Sequence, residues 1–577
     1  MRVGRLAAVA VFGLAITAGG ATPLRAARTA GVVVLQAGRA SGSLRPGDRL
    51  LAWDNDGVSG FLDDACAWLW VEAERGPRGP LRVTAQRSGR ELRATLAQDD
   101  SSVLAGPPLP AGLHERVLRS LEEPPPKAGV AGLAGAVGDA AGPPGELWLR
   151  LMLARRWLDR GEPAAAVQLL DGAATDSAGT PHATLLLLEL RARALLRAGR
   201  IAEASTAVDR ALELVRTLDD AALFSARLHL VRGLMLKAAG SLHQAEAELQ
   251  RARRVAGRLA SGSLLEAEVL DRLGKVRFEL GGRRAGLDLV RRGMAIFERA
   301  APGSVALAES LNNLGGLEVE AGQLDAGRQH LERSRAIRER LPGQPGLYKV
   351  LYNLAGIAYL ERRLEDAGAL LDRAGAILER REPESAHMAQ LLDVRMIVAE
   401  QRGALAEAER YGLRALELHH KLDPSSLETV ACLINLGTVA RSQEDLELAE
   451  KRYREALAIA RRVAPDGVEV PHVLGDLAEL ALERGRHAEA LTISREALKR
   501  LEALGAAPST LAQVHQNLAA ALLGVGQLDE AERECRTALA LRRRQLPGSR
   551  DEAESLVGLG DIEDVRGRRE AAARNFR

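Results

Sequence analysis

The side chains that could do chemistry in this chain are few and poorly placed for it. Cys66, Cys432 and Cys535 stand far apart, with no CxxC pair, so they define neither a zinc ribbon nor a disulfide framework. Cys432 and Cys535 fall in helical stretches, where a buried apolar cysteine is the expected role. The eleven histidines are scattered. His419 and His420 are the one adjacent pair, and neighbours on a helix point about 100° apart, which suits a solvated helix end better than a metal site. No GxxxxGK[ST], HExxH or GxSxG occurs. With no nucleophile–base constellation and no phosphate loop, a non-enzymatic chain without metal or cofactor is expected.

The charge balance narrows the partners. Seventy-nine Lys and Arg against 77 Asp and Glu leave a net charge of +2, too little for a nucleic-acid binder driven by bulk charge. Only seven of the bases are Lys, a coding bias that points to a bacterial source. All five Trp lie in the first 160 positions, so the rest of the chain offers no base-stacking platform and needs a Leu/Ala/Val core.

The elements that must carry any function are set by a period. Ala166, Ala204, Ala245, Gly286, Gly327, Ala367, Ala408, Ala449, Ala490, Ala531 and Ala572 are separated by 38 residues, then by 41 at every step but one of 40. Five residues before each marker comes a turn position, Gly in nine of eleven cases, with Arg362 and Glu444 the exceptions. Twelve before and seven after each marker, nearly every residue is again small, with Met396 standing out. Small side chains at helical spacing mark lines where two helices approach closely, and the Gly between them ends a helix. Each unit is a helix, a Gly turn and a second helix, and a fixed period near 40 means a stacked array.

Asn313-Leu314-Gly315 with Gly322-Gln323-Leu324-Asp325, and Asn517-Leu518-Ala519 with Gly526-Gln527-Leu528-Asp529-Glu530-Ala531, resemble the tetratricopeptide repeat, in the long 42-residue form found in kinesin light chains. The resemblance covers residues 146–577, about eleven units with the last incomplete. It implies a mainly α fold, a right-handed α-solenoid with a concave face. In ligand-binding members of that family the first helices line the groove, and a recurrent Asn holds an extended peptide by its backbone. The matching column, fourteen before each marker, holds Asn313, Asn353, Asn435 and Asn517, with Asp476 between the last two and Val394 as a break. Asn312, Lys349, Tyr352 and Gln516 lie beside it. An Asn amide can both donate to and accept from a peptide group. The resemblance therefore implies a protein or peptide partner held at these eight positions.

The first 145 residues differ. Met1–Ala21 carries Arg2 and Arg5, an apolar run over 6–18 and small residues after it, the layout of a secretory leader or N-terminal anchor. That places the protein in the cell envelope or outside the cell, with the cytoplasm as the alternative. Residues 28–97 read as β-rich: strands at Gly31–Leu35 and up to Trp53, a helix over Phe61–Glu74, and a hairpin turning at Ser88-Gly89. Leu44-Arg45-Pro46-Gly47-Asp48 and Asp56-Gly57 resemble a PDZ domain. PDZ domains add a peptide strand beside a glycine-rich carboxylate loop. Ala27-Arg28-Thr29-Ala30-Gly31 lacks that loop, so a structural module is expected. Residues 98–145, broken by Pro and Gly clusters, read as a linker with a short helix at His114–Leu121 and a weakly structured stretch over 128–142.

The expected function is a non-catalytic scaffold or adaptor. A PDZ-like segment before long arrays is also similar to bacterial proteins that end in a caspase-like CHAT peptidase domain. The chain would then be the regulatory, truncated or split half of such a system. A sensor array acting on a kinase or transcription factor is the weaker alternative.

Overall fold

A computed structural model describes residues 32–37, 43–55, 58–62, 65–74, 76–78, 80–96, 103–122, 127–160, 162–171, 173, 180–341, 343–545 and 548–576. The leader Met1–Ala21, the segment 27–31 and the pair Asp56-Gly57 lie outside the described residues. The chain divides into two compact units, residues 1–282 and 283–577.

The first unit opens on a sheet of strands β1 (Val32–Ala37), β2 (Arg49–Asn55), β3 (Val58–Phe61), β4 (Leu81–Arg87), β5 (Arg90–Leu96) and β6 (Val103–Gly106). All pairings are antiparallel, in the order β5-β4-β2-β1-β6, with β3 on β2. The β4–β5 turn has positive φ at both Ser88 and Gly89, the geometry a two-residue hairpin needs. Helix α1 (Ala65–Glu74) starts later than its pattern suggests, because Val58–Phe61 pairs with β2. The Pro46-Gly47-Asp48 turn is held from inside. Buried Asp48 accepts Arg87 Nε at 2.7 Å, Arg87 Nη2 at 2.8 Å and the Arg45 backbone N–H at 2.7 Å. The Arg87 hydrogen bonds hold its carboxyl below the usual carboxylate range.

Where a linker is expected, the structure places β6 and two helices, α2 (Ala111–Glu122) and α3 (Lys127–Arg160). Burial overrides the weak helix propensity of the Ala/Gly stretch, since Leu133, Ala134 and Val137 reach the core. The Gly142-Pro143-Pro144 break survives only as a kink in α3, with Gly142 at φ 71°. Beyond it, fully buried Trp148 donates its indole N–H to the Ala105 carbonyl at 3.1 Å. Then come α4 (Pro163–Asp171), α5 (Pro181–Arg197), α6 (Ile201–Val215), α7 (Ala222–Ala238), α8 (Leu242–Leu259) and α9 (Leu264–Glu279). Trp70 of α1 stacks on Phe224 of α7 with ring centroids 4.7 Å apart, so the β module and the first repeats share one core.

The second unit is α10 (Arg283–Ala300) followed by seven helix pairs. They are α11/α12 (Val305–Glu320, Leu324–Arg340), α13/α14 (Leu347–Leu360, Leu364–Arg381), α15/α16 (Ala386–Gln401, Leu405–Leu422) and α17/α18 (Leu427–Ser442, Leu446–Val463). The array continues with α19/α20 (Glu469–Glu483, His487–Ala503), α21/α22 (Pro508–Gly524, Leu528–Gln545) and α23/α24 (Arg550–Val565, Arg569–Phe576). Every turn position of the unit is left-handed, including the two non-Gly residues, Arg362 at φ 62° and Glu444 at φ 66°. Serines 304, 385, 426 and 549 cap first helices by accepting the backbone N–H three residues on.

The small columns are contact lines. A Cβ on Gly315 would lie 2.9 Å from the Gly327 carbonyl oxygen and 2.7 Å from Leu331. Met396, the large exception, is matched by Gly412, where a Cβ would meet its sulfur at 2.5 Å. In the next repeat the roles reverse, and the Tyr453 ring lies against Gly437. Successive second helices are tied by ion pairs one repeat apart, such as Arg414–Glu379 at 2.7 Å, Arg461–Glu496 at 3.0 Å and Arg495–Glu530 at 3.1 Å. Each is exposed and contributes at most about 1 kcal/mol.

Candidate functional site

Within the second unit, successive first helices touch for most pairs from α11 to α23, whereas second helices do not approach one another comparably. The first-helix face is therefore the inner side of this stack. All eight residues expected at a groove lie on first helices there.

Their environments differ. Asn312 and Asn313 are buried, and Asn353 donates its amide N–H to Asn312 Oδ1 at 3.0 Å, one repeat away. Buried Asn517 accepts from Gln513 at 3.2 Å and donates to Glu479 Oε1 at 3.4 Å. The Gln516 amide oxygen accepts the Ser555 hydroxyl at 3.0 Å. These amides join consecutive repeats. Lys349 is half-buried with its ammonium 5.9 Å from the Tyr348 ring centroid, and Tyr352 is half-buried, its phenol pushed up by burial and by the nearby Asp393 charge. Asn435 is half-buried and makes no side-chain hydrogen bond among the described residues. It is the member of the column whose amide has no partner among the described residues.

One repeat on, the column's Asp476 stands with a second carboxylate, Glu479, on α19. Asp476 takes the Asn position in α19, and burial together with the neighbouring Glu479 pushes its carboxyl up to about 7, against the pull of Arg441. Arg441 donates to Glu479 at 3.1 Å and lies 3.7 Å from Glu483. The i, i+3 spacing of Asp476 and Glu479 is visible in the sequence; the depth that makes it matter is not.

Two expectations are corrected. His419 is not at a solvated helix end: it is buried and paired with Asp393 at 2.8 Å, while His420 is exposed. It sits eleven residues after its marker, in a column that elsewhere holds buried Phe297, Arg338, Leu378 and Leu501, and that column is the signal that could have found it. Cys432 is buried as expected, but among polar groups, since Asp393 and His419 lie beside it. In the first unit, β1 is paired on both sides, by β2 and β6.

Residues 307–344 and the overlapping spans 388–462 and 429–503 match models of the tetratricopeptide repeat. Similar solved structures include a Rap protein complexed with Competence and Sporulation Factor, 14% identical, with a TM-score of 0.45, covering 62% of this chain and 98% of that one. BtubC (BKLC) from P. vanneervenii is 20% identical, with a TM-score of 0.30, covering 48% and 94%. No curated protein matches the chain. The helix pairs within residues 307–344 and 388–503 are tetratricopeptide repeats.

Proposed function

We propose that the chain is a non-catalytic protein-interaction scaffold that holds an extended segment of a partner on the first-helix face of α13 to α21. The observation that carries this reading is Asn435. It sits in a column where Asn353 and Asn517 bridge repeats, yet its own amide makes no hydrogen bond among the described residues. An amide pair of that kind matches the N–H and C=O of a peptide group without reading its side chain. Lys349 and Tyr352 at one end and the Asp476, Glu479 and Glu483 carboxyls at the other give the face polarity, which favours one direction of a bound strand.

The β module in this reading is structural. The strand edge that a captured peptide would use is taken by β6, and Trp148 fastens that strand from behind. The leader-like Met1–Ala21 supports the cell envelope as the compartment. Among the described residues, no helix is long and apolar enough to cross a membrane.

Asn435→Ala is the clean test, because the wild-type amide holds no other residue in place. A partner recovered with the wild-type chain is expected to bind the variant about tenfold more weakly, the loss of one to two hydrogen bonds, with an unchanged circular dichroism spectrum. Equal binding rejects the reading.

A further inference from the structure

We infer that Asp393, His419 and Cys432 form a binding site for a borderline-soft divalent cation of the zinc type. The three residues come from three consecutive helices, α15, α16 and α17. One ligand atom from each lies within 4.8 Å of the other two, and this is the one such His/Cys/carboxylate group of three among the described residues. His419 and Cys432 are buried, and the Asp393 side chain is 19% exposed. His419 Nε2 and Asp393 Oδ2 are 2.8 Å apart.

A second observation points to a ligand. The other carboxylate oxygen, Asp393 Oδ1, is buried and has no hydrogen-bond partner. A carboxylate oxygen removed from water without a donor is unfavourable, and a structural ion pair with His419 leaves that oxygen unexplained. A cation between the carboxylate, the imidazole and the sulfur gives Asp393 Oδ1 a partner, in exchange for the weak bond of the Cys432 thiol to the Gly412 carbonyl at 3.7 Å. The donor set of one thiolate, one imidazole and one carboxylate is that of zinc-type ions rather than of calcium or magnesium, which take oxygen alone. Zinc bonds of about 2.0–2.3 Å put tetrahedral ligand atoms roughly 3.3–3.8 Å apart. Closing from 4.8 Å takes a side-chain adjustment on the order of 1 Å.

Binding is balanced by one proton. The Cys432 S–H bond breaks, its proton passes to solvent, and the sulfur lone pair forms the bond to the cation. The hydrogen shared between His419 Nε2 and Asp393 Oδ2 leaves Nε2 and is replaced, by exchange with solvent, by one on Nδ1, so the neutral ring binds through Nε2 with no further net release. Asp393 donates an oxygen as the carboxylate. The fourth position falls to water on the exposed side of Asp393. Asp393 stands in the column of Tyr352, one repeat on, so that water lies toward the first-helix face.

The test uses the full chain, freed of metal by a chelator and titrated with Zn²⁺ and separately with Co²⁺. One cation per chain is expected, with release of one proton. Co²⁺ should give a thiolate-to-metal charge-transfer band and intense tetrahedral ligand-field bands. Cys432→Ser should abolish the charge-transfer band and weaken Zn²⁺ binding by about 100-fold or more, whereas Cys535→Ser should change neither. Asp393→Asn, nearly isosteric and partly exposed, guards against a misfolded serine variant: it should keep the wild-type circular dichroism and lose at least about tenfold in Zn²⁺ affinity. The proposal is overturned if the wild-type chain takes up no stoichiometric Zn²⁺, if the Co²⁺ band survives Cys432→Ser, or if Asp393→Asn binds as tightly as the wild type.

Discussion

Asp476→Asn should make the array more stable, and by an amount that depends on pH. The carboxyl is displaced from its ordinary 3.8 to about 7, with burial as the main cause and Glu479 as the second. For an acid whose pKa is raised by folding, the native state holds the proton more tightly than the unfolded chain. Between pH 4 and 7 the native state therefore binds more protons, and stability falls as pH rises. No cost is present below about 4, and the full cost is present above about 7. A displacement of about 3 pKa steps corresponds to a ceiling of about 4 kcal/mol, lowered because Asp476 is only half-buried. Asparagine already stands in this column at 353, 435 and 517, so the substitution fits the site. Urea denaturation of both chains from pH 4.5 to 8.5, followed by circular dichroism, measures the difference. The variant should gain about 1–3 kcal/mol at pH 8 and nearly nothing at pH 4.5. A gain that is equal at both ends would refute the ionisation argument, and a loss at pH 8 would refute the burial on which it rests.

Other outcomes follow from the same geometry. Gly315→Ala should cost about 1–3 kcal/mol, since its methyl would press on the Gly327 backbone, whereas Gly475→Ala, with open space at its Cβ, should gain up to about 1 kcal/mol from helix propensity; thermal melts of the two variants check both signs. Gly485→Ala should cost about 1 kcal/mol because that turn is left-handed at φ 68°, again read by melting. Ser426→Ala removes the cap of α17 and should cost about 1 kcal/mol, with faster hydrogen exchange confined to the first turn of that helix. Arg87→Ala leaves buried Asp48 with the Arg45 backbone N–H alone and should destabilise the β module, seen as a Trp fluorescence transition at lower urea.

The repeats were legible because each column is sampled some ten times, so chance cannot imitate it. The small residues at Gly315 and Gly437 announce a close approach, and the structure supplies the atoms approached. The β4–β5 hairpin was legible from Ser88-Gly89 alone. Residues 128–142 were not, because local composition argues against a helix and only the burial of Leu133 and Val137 decides for one. His419 was misread from its neighbour His420, when its register eleven after Ala408 carried the better information. Asp393, His419 and Cys432 are 26 and 13 residues apart on three helices, a separation at which no spacing rule operates. The bridging amides of Asn353 and Asn517 look in sequence like that of Asn435. What separates them is whether a neighbour one repeat away has reached them first.

The scaffold reading rests on which face of the array meets a partner. Ala431 is exposed on α17, in the column of Lys349, and Lys451 is exposed on α18. A photo-crosslinking residue placed at each position in the full chain, irradiated in the native cell, compares the two faces directly. The account predicts a discrete adduct from position 431 that is lost with Asn435→Ala, and none above background from position 451. Adducts of equal yield from both positions, or from 451 alone, would contradict it.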